Sequence, residues 1–376
     1  MKSATRNELI YKDKMESTET PSESPGARNR TVVRESGIEL LRLVSMFLIL
    51  SLHVNFYVFG QPSVTDFKVD PANGFLRSFL ESIAIVGVDV FVLISGWFGI
   101  RPKARRFASL LFQTTFFCCL AYEAGLLFGV WYSSWDVLGN LVFLGPQNWF
   151  LRSYLLLYAA SPVLEAFVST ASEKTFRFVL AGFFGFQTVY GWLLPGADYF
   201  EVFRNGYSPL SFVGLYLLAR YVRVFRPRFA CRSRCTDLFS YFLLSAITAM
   251  ASAFQTLCQR RGIDFFAYNS PLVVAAALFL FLFFAKWNFA SRIVNSVAQS
   301  SLAVYLLHMH PSVCGTLFIP VAVRILRMPN SSPLLILPFL LSVFAAAVLL
   351  DRVRIVLWMF FVKAIDRSRA SPGQVT

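Results

Sequence analysis

The residues best suited to proton-transfer chemistry are the three histidines of the chain, His53, His308 and His310. A neutral imidazole can accept a proton near pH 7, which makes histidine a common general base. His53 follows Arg42 by eleven positions, which is about three turns of an α-helix and a rise of about 16 Å. Both side chains therefore share one helix face, with Glu39 one turn before Arg42. A functional site along this face is the favoured interpretation, and two separate anchoring residues are the alternative.

An acidic residue and a basic turn accompany this face. Asp89 stands in the apolar stretch 87–97, and a buried acid needs a cationic or hydrogen-bonding partner, for which Arg42 and His53 are the candidates. Four cations then occupy one short turn: Arg101, Lys103, Arg105 and Arg106. Such a turn is typical of a topogenic signal, and it would also suit an anionic cytosolic ligand.

A second polar stripe occurs late in the chain. Ser301, Tyr305 and His308 are spaced i, i+4 and i+7 and so lie on one face of a helix. The predicted span boundaries put His308 at a depth comparable to that of His53. A packed structural histidine and a member of a site are equally compatible with this pattern.

An aromatic stretch, residues 147–154, joins rings to a cation through Trp149, Arg152 and Tyr154. This composition is typical of the aromatic belt at a membrane interface. Aromatic faces beside amide and guanidinium donors would equally suit a sugar, so the stretch is a candidate for substrate binding.

The composition indicates a membrane protein. Of 376 residues, 56% are hydrophobic and 15% are charged, whereas soluble globular chains carry about 25% charged residues. A net charge of +14 would suggest nucleic acid for a soluble protein, but in a polytopic chain it bears on topology, and no nucleic-acid partner is expected. The six cysteines are scattered without a ligand pattern, so no metal is expected.

Apolar segments of about 20 residues, long enough to cross a bilayer, predict an all-α integral membrane protein. A polar tail at 1–36 is predicted to be disordered and cytoplasmic. The transmembrane domain is predicted over 37–352 and a cytoplasmic or interfacial segment over 353–376, with an interfacial helix at 355–362. The ten predicted spans are 38–59, 76–98, 107–131, 149–168, 176–194, 208–225, 237–257, 268–289, 296–318 and 333–350.

The distribution of Lys and Arg predicts the orientation. One set of alternate connections holds 19 of these residues and the other set holds 7. The positive-inside rule assigns the richer side to the cytoplasm, and both termini then lie there. The prediction is a multi-pass protein of the cell membrane.

Taken together, these elements resemble the membrane acyltransferase 3 family, whose members O-acylate polysaccharides, peptidoglycan, lipopolysaccharide sugars and some small molecules. The family's Arg-x10-His pattern is matched by Arg42 and His53. Its Arg-x-x-Arg pattern is matched imperfectly, by Lys103 and Arg106 or by Arg101 and Arg105. The matching segments follow the family's order and are 37–42, 87–96, 149–162 and 301–308.

The resemblance implies ten core spans and transfer of an acyl group from cytosolic acetyl-CoA to a hydroxyl of a surface or lipid-linked glycan, as in capsule and exopolysaccharide modification. The lack of an extra soluble domain resembles the short form of the family. The implied catalytic residues are His53, Asp89 and His308. The implied acetyl-CoA ligands are Arg42, Arg101, Lys103, Arg105 and Arg106, and the implied sugar ligands are Trp149, Arg152, Tyr154 and Tyr305.

Several alternatives stay open at the level of sequence. His53 could activate the hydroxyl directly or first carry the acyl group, and succinyl or longer groups could replace acetyl. A transporter or flippase of a lipid-linked sugar would use the same intramembrane charges. A polysaccharide polymerase is disfavoured because the predicted outer loops are short. The oligomeric state is not predicted.

Overall fold

A computed structural model describes residues 35–370 except 142–144, 146–147, 195, 197, 199–200, 260–261 and 329–334, and the side chains of 368–370 are likewise outside the description. The residues from Glu35 onward belong to one compact unit. Residues 1–34 of the predicted tail at 1–36 lie outside the described residues, whereas Ser36 already begins a helix. Outside the description too are residues 371–376, Gln147, Arg260, Arg261 and the start of the tenth predicted span.

The described part of the chain is helical and contains no strand. π-helical turns extend two of the helices, at Asn55–Phe59 and Val189–Leu193. The helices are α1 Ser36–Val54, α2 Val64–Val69, α3 Pro71–Ala84, α4 Gly87–Phe98, α5 Ala104–Leu127, α6 Ser134–Leu141, α7 Trp149–Thr170, α8 Glu173–Thr188, α9 Pro209–Phe225, α10 Arg234–Leu257, α11 Pro271–Ala285, α12 Arg292–Ala298, α13 Ser301–His308, α14 Pro311–Leu326 and α15 Ile336–Ala370.

Among the described residues, six continuous helical segments are long and apolar enough to cross a membrane, which supports the predicted all-α membrane architecture. The helix α11 is apolar but has only 15 residues, and α9 has 17. The number of ten spans stays a prediction. The six segments are Ser36–Phe59, Pro71–Phe98, Ala104–Leu127, Trp149–Thr170, Arg234–Leu257 and Ile336–Arg367.

The ninth predicted span, 296–318, is wrong as a continuous helix. The segments Arg292–His308 and Pro311–Leu326 meet at an angle of 69°. A proline disfavours the helical conformation at the residue before it, and His310 accordingly has an extended backbone. His310 Nδ1 accepts a hydrogen bond from the Ser312 N–H at 3.3 Å, so this side chain caps the helix that begins at Pro311.

The patch 355–362, predicted as an interfacial helix, is helical but belongs to a longer helix. The helix α15 runs 35 residues without a break, since no proline or glycine interrupts it after residue 338. A buried ion pair lies within it: Arg354 donates two hydrogen bonds of 2.9 Å to Asp351. Gln113 of α5 donates to the same carboxylate at 3.1 Å, so Arg354 contributes to helix packing.

Close contacts between helices position the part of α1 that contains His53. A Cβ on Gly87 would lie 2.9 Å from the Ser45 carbonyl oxygen, and one on Gly96 would lie 2.5 Å from the Tyr216 carbonyl oxygen. Glycine is therefore required for α4 to pack directly on α1 and on α9. This packing holds the second half of α1, with His53, against the centre of the bundle.

Candidate functional site

A cavity of about 600 Å³ lies among the helix ends on one side of the bundle. Its lining residues come from the second half of α1 and the turn after it, the middle of the α3–α4 segment, the beginning of α7, the segments before α9 and α11, α13, and the first half of α14. Most are apolar or aromatic, as in typical ligand sites. The polar members among the described residues are His53, Tyr57, Gln61, Glu81, Trp149, Tyr207, Asp264, Tyr268, Tyr305 and Cys314.

The two predicted histidines meet at this cavity. His53 Nδ1 lies 2.9 Å from His308 Nε2, and the ring centroids are 5.1 Å apart. His53 lines the cavity, whereas His308 is fully buried behind it and packs against Tyr305 and Phe318. The 69° bend places α13 so that its last residue faces α1.

The hydrogen bonds assign the protons of this pair. His308 Nδ1 lies 2.5 Å from the Val304 carbonyl oxygen, and since a carbonyl can only accept, Nδ1 of His308 carries the hydrogen. In a neutral ring, His308 Nε2 is then an acceptor, so His53 Nδ1 donates to it. The remaining nitrogen, His53 Nε2, has no hydrogen-bond partner among the described residues. Its lone pair is available to a ligand in the cavity.

One wall of the cavity is aromatic. The Trp149 ring centroid is 4.4 Å from that of Tyr207 and 5.7 Å from that of Tyr268. Tyr305 is 8% exposed and closes the wall towards the histidines. Trp149 and Tyr305 belong to the predicted sugar-binding set. Tyr207 and Tyr268 do not belong to this set, because they lie in loops far apart in sequence. The predicted span 268–289 includes Tyr268, but the helix begins only at Pro271.

Two carboxyl groups, Glu81 and Asp264, also line the cavity. Glu81 is 5% exposed and accepts a hydrogen bond of 2.6 Å from Asn55 Nδ2. Asp264 accepts one of 2.9 Å from the Phe266 N–H, and desolvation by the surrounding protein raises the pKa of its carboxyl group. Neither carboxyl group belongs to the predicted site residues.

The other predicted sugar ligands do not line the cavity. Tyr154 stacks on Phe150 with the ring centroids 6.1 Å apart, and its hydroxyl lies 3.4 Å from Ser95 Oγ, so it links α7 to α4. Arg152 donates to the Gly145 carbonyl at 2.9 Å. The structure thus gives both side chains contacts within the protein next to the site.

Asp89 does not have the partners predicted for it. It is 1% exposed, its Oδ2 has no hydrogen-bond partner, and within the part of the chain that the structure describes no ion pair reaches it. Arg42 instead lies 3.8 Å from Glu39 within α1, and His53 pairs with His308. The helical register of α1 directs Arg42 and His53 to these other neighbours.

The predicted donor-binding cations lie away from the cavity, at the opposite end of α1 and α4. Arg101, Lys103, Arg105 and Arg106 are exposed, and Arg105 forms an ion pair of 3.8 Å with Asp366. Arg42 is half-buried and is not part of the cavity lining.

Two tyrosines hold the backbone of the basic turn. The Tyr216 hydroxyl accepts from the Ile100 N–H at 2.9 Å, and the Tyr158 hydroxyl accepts from the Lys103 N–H at 2.8 Å. Tyr216 in turn donates to Glu165 at 2.5 Å, and Arg220 donates to the same carboxylate at 2.9 Å. The turn is therefore fixed by its main chain, which leaves the basic side chains at the surface.

No group of three or more potential metal ligands occurs among the described residues. The chemistry that this arrangement can perform is acid–base or nucleophilic catalysis by one imidazole in a largely apolar cavity.

Comparison with known proteins gives one match. A family model described as an acyltransferase domain, that of the acyltransferase 3 family, matches residues 35–352. The match covers the cavity and the basic turn. The comparisons with curated proteins and with solved structures found no significant match.

Proposed function

We propose, from the premise that this chain belongs to the acyltransferase 3 family and is an acyltransferase, that it transfers an acetyl group from acetyl-CoA to a hydroxyl of a surface or lipid-linked glycan. The observation that carries this proposal is the His53–His308 pair at the cavity. An unpartnered imidazole nitrogen next to an aromatic wall suits deprotonation of a sugar hydroxyl.

The proposed reaction uses His53 Nε2 as a general base. It takes the proton of the acceptor hydroxyl while the oxygen attacks the thioester carbonyl carbon. The carbon–sulfur bond then breaks, and the thiolate of CoA leaves with the proton that His53 returns. A sugar hydroxyl is too weak an acid to attack unaided at pH 7, so a positioned base contributes about 10²–10⁴-fold in rate. In the alternative mechanism, the acetyl group is first transferred to His53 with release of CoA and then passes from His53 to the acceptor hydroxyl.

The proposed donor site lies at the basic end of the bundle. Arg42 and the basic turn present cations that can bind the phosphates of acetyl-CoA. Because α1 is regular from Ser36 to Val54, Arg42 and His53 are separated by about 16 Å along its axis. The thioester would reach His53 from this direction, between the helices that pack on α1.

We propose ten spans, with both termini in the cytoplasm and the protein in the cell membrane. The 19-to-7 distribution of Lys and Arg supports this orientation. Bent or short helices such as α11 and the α13–α14 pair would then complete the set. The basic turn would face the cytosol, where acetyl-CoA is found, and the cavity would lie in the outer half.

The test is acetyl transfer by the purified protein. We expect His53→Ala and His53→Gln to lose about 10²–10⁴-fold in rate while still binding acetyl-CoA. Gln resembles His in shape but cannot take the proton. If the Gln variant turns over at a rate close to that of the wild type, His53 is not the base and the proposed mechanism is wrong.

A further inference from the structure

Two side chains of the cavity lining each have a polar atom without a hydrogen-bond partner among the described residues. Tyr268 is 6% exposed, and its hydroxyl has no hydrogen-bond partner among the described residues. Glu81 is 5% exposed, and its single hydrogen bond comes from Asn55 to Oε2 at 2.6 Å, so that Oε1 is unpartnered. Buried polar groups are nearly always hydrogen-bonded. Both residues line the cavity, which makes a polar ligand there the natural partner.

The ionisable side chains of the described cavity lining include carboxyl groups but no basic Lys or Arg. Glu81 and Asp264 supply carboxyl groups, whereas no Lys or Arg occurs among the described lining residues. The nearby Arg77 is committed elsewhere: it donates to the carbonyl oxygens of Phe59 and Gly60 at 2.8 and 2.9 Å and lies 3.6 Å from Asp66. A negatively charged ligand would therefore meet no cation in the described lining itself.

The hydrogen-bonding capacity of the same residues favours a ligand rich in hydroxyl groups. Carboxyl oxygens accept hydrogen bonds, and tyrosine hydroxyls both donate and accept. Burial and the neighbouring Asp264 raise the pKa of Tyr207, so this hydroxyl stays protonated at pH 7. The rings of Trp149 and Tyr268 offer apolar faces, as sugar rings require.

We propose that the cavity is an acceptor site for a neutral sugar unit, and that it excludes sugars bearing a carboxylate or phosphate. This inference rests on the proposed glycan acylation and adds the class of acceptor. Hydroxyl groups of a neutral sugar satisfy Glu81 Oε1 and the Tyr268 hydroxyl. An acidic sugar loses its hydration without gaining a cation from the described lining, and it faces the carboxyl groups of Glu81 and Asp264.

Binding of a matched pair of sugars tests the inference independently of turnover. Methyl glucopyranoside and methyl glucopyranosiduronate differ only in the carboxylate at carbon 6. Saturation-transfer NMR on the purified protein compares their affinities, and acetyl transfer from acetyl-CoA to each is measured in parallel. We expect the neutral sugar to be preferred at least about tenfold in both measurements.

Variants separate the role of the cavity from a general charge effect. Glu81→Gln combined with Asp264→Asn should bring the preference close to equality. The control Glu201→Gln changes an exposed carboxylate that forms an ion pair with Arg204 and should keep the wild-type preference. Gln can still accept the hydrogen bond from Asn55, so the first variant keeps the local contact.

The outcomes are distinguishable from failure of the proposed function. Equal or better binding of the glucuronide, or binding of neither sugar, overturns the inference about the acceptor. His53-dependent hydrolysis of acetyl-CoA, in which water takes the place of the sugar hydroxyl and acetate and CoA are released, reports on the acyltransferase mechanism alone. If Glu201→Gln loses the preference for the neutral sugar as completely as the double variant does, the preference depends on overall charge and the inference is also overturned.

Discussion

Replacement of His308 by leucine should slow acyl transfer without weakening donor binding. In the wild type, His308 Nε2 accepts the hydrogen bond from His53 Nδ1 at 2.9 Å. Leucine removes that acceptor, and His53 can then adopt the tautomer whose Nε2 carries the hydrogen and cannot act as a base. His308→Gln retains a carbonyl oxygen that can accept the bond, so it should keep more activity than His308→Leu.

The expected magnitude follows from the hydrogen bond that is lost. A buried donor left without an acceptor costs about 1–3 kcal/mol. If this cost falls on the active tautomer, kcat falls by roughly 5- to 150-fold. The KM for acetyl-CoA should change little, because His308 is fully buried behind His53 and lies far from the basic turn.

The assay is release of CoA with acceptor at saturation, over a series of acetyl-CoA concentrations. His310→Asn is the matched control: His310 is also buried, but it contacts Cys118 and Tyr122 and not His53. Asparagine can replace its cap to the Ser312 N–H, so kcat should stay near the wild-type value. If His308→Leu keeps kcat within about twofold of the wild type, the tautomer assignment is wrong.

Three further perturbations test the donor site, the topology and the bundle. Arg42→Ala should weaken acetyl-CoA binding at least about tenfold, with partial recovery in Arg42→Lys because an ammonium cannot grip two phosphate oxygens; unchanged affinity in calorimetry would remove Arg42 from the donor site. The topology is tested in a background without native cysteines, with a membrane-impermeant maleimide added outside intact cells. Glu201→Cys should react with it and Arg105→Cys should not. The reverse pattern would mean that the predicted topology is inverted. Asp351→Asn should destabilise the bundle by about 3–5 kcal/mol in thermal unfolding, since it leaves the Arg354 guanidinium buried without its partner. The double variant Asp351→Asn with Arg354→Leu should recover part of this loss. If Asp351→Asn alone is as stable as the wild type, the ion pair does not have this structural role.

The sequence alone determined the membrane class, the family and most helix positions, since long apolar runs have few alternatives to a helix in a bilayer. It located the segments Ser36–Phe59 and Trp149–Thr170 to within a few residues, because polar loops and glycines bound them. It failed where local geometry opposes the apolar pattern: the proline at 311 breaks an otherwise apolar run. The helix start at Pro271 left Tyr268 in a loop, where it could line the cavity.

Only the tertiary structure decided which polar residues meet. Hydropathy and helical spacing fix the face and approximate depth of a side chain, but they do not specify which helix lies opposite. Sequence reasoning therefore identified His53 and His308 separately, whereas their contact depends on the bend after α13 and on the packing of α4 against α1 at Gly87. For the same reason the sequence predicted Arg42 and His53 as partners of Asp89, whereas in the structure Arg42 pairs with Glu39 and His53 with His308. Residues such as Asp264 and Tyr207 join the cavity through loop conformations, which depend on contacts distant in sequence.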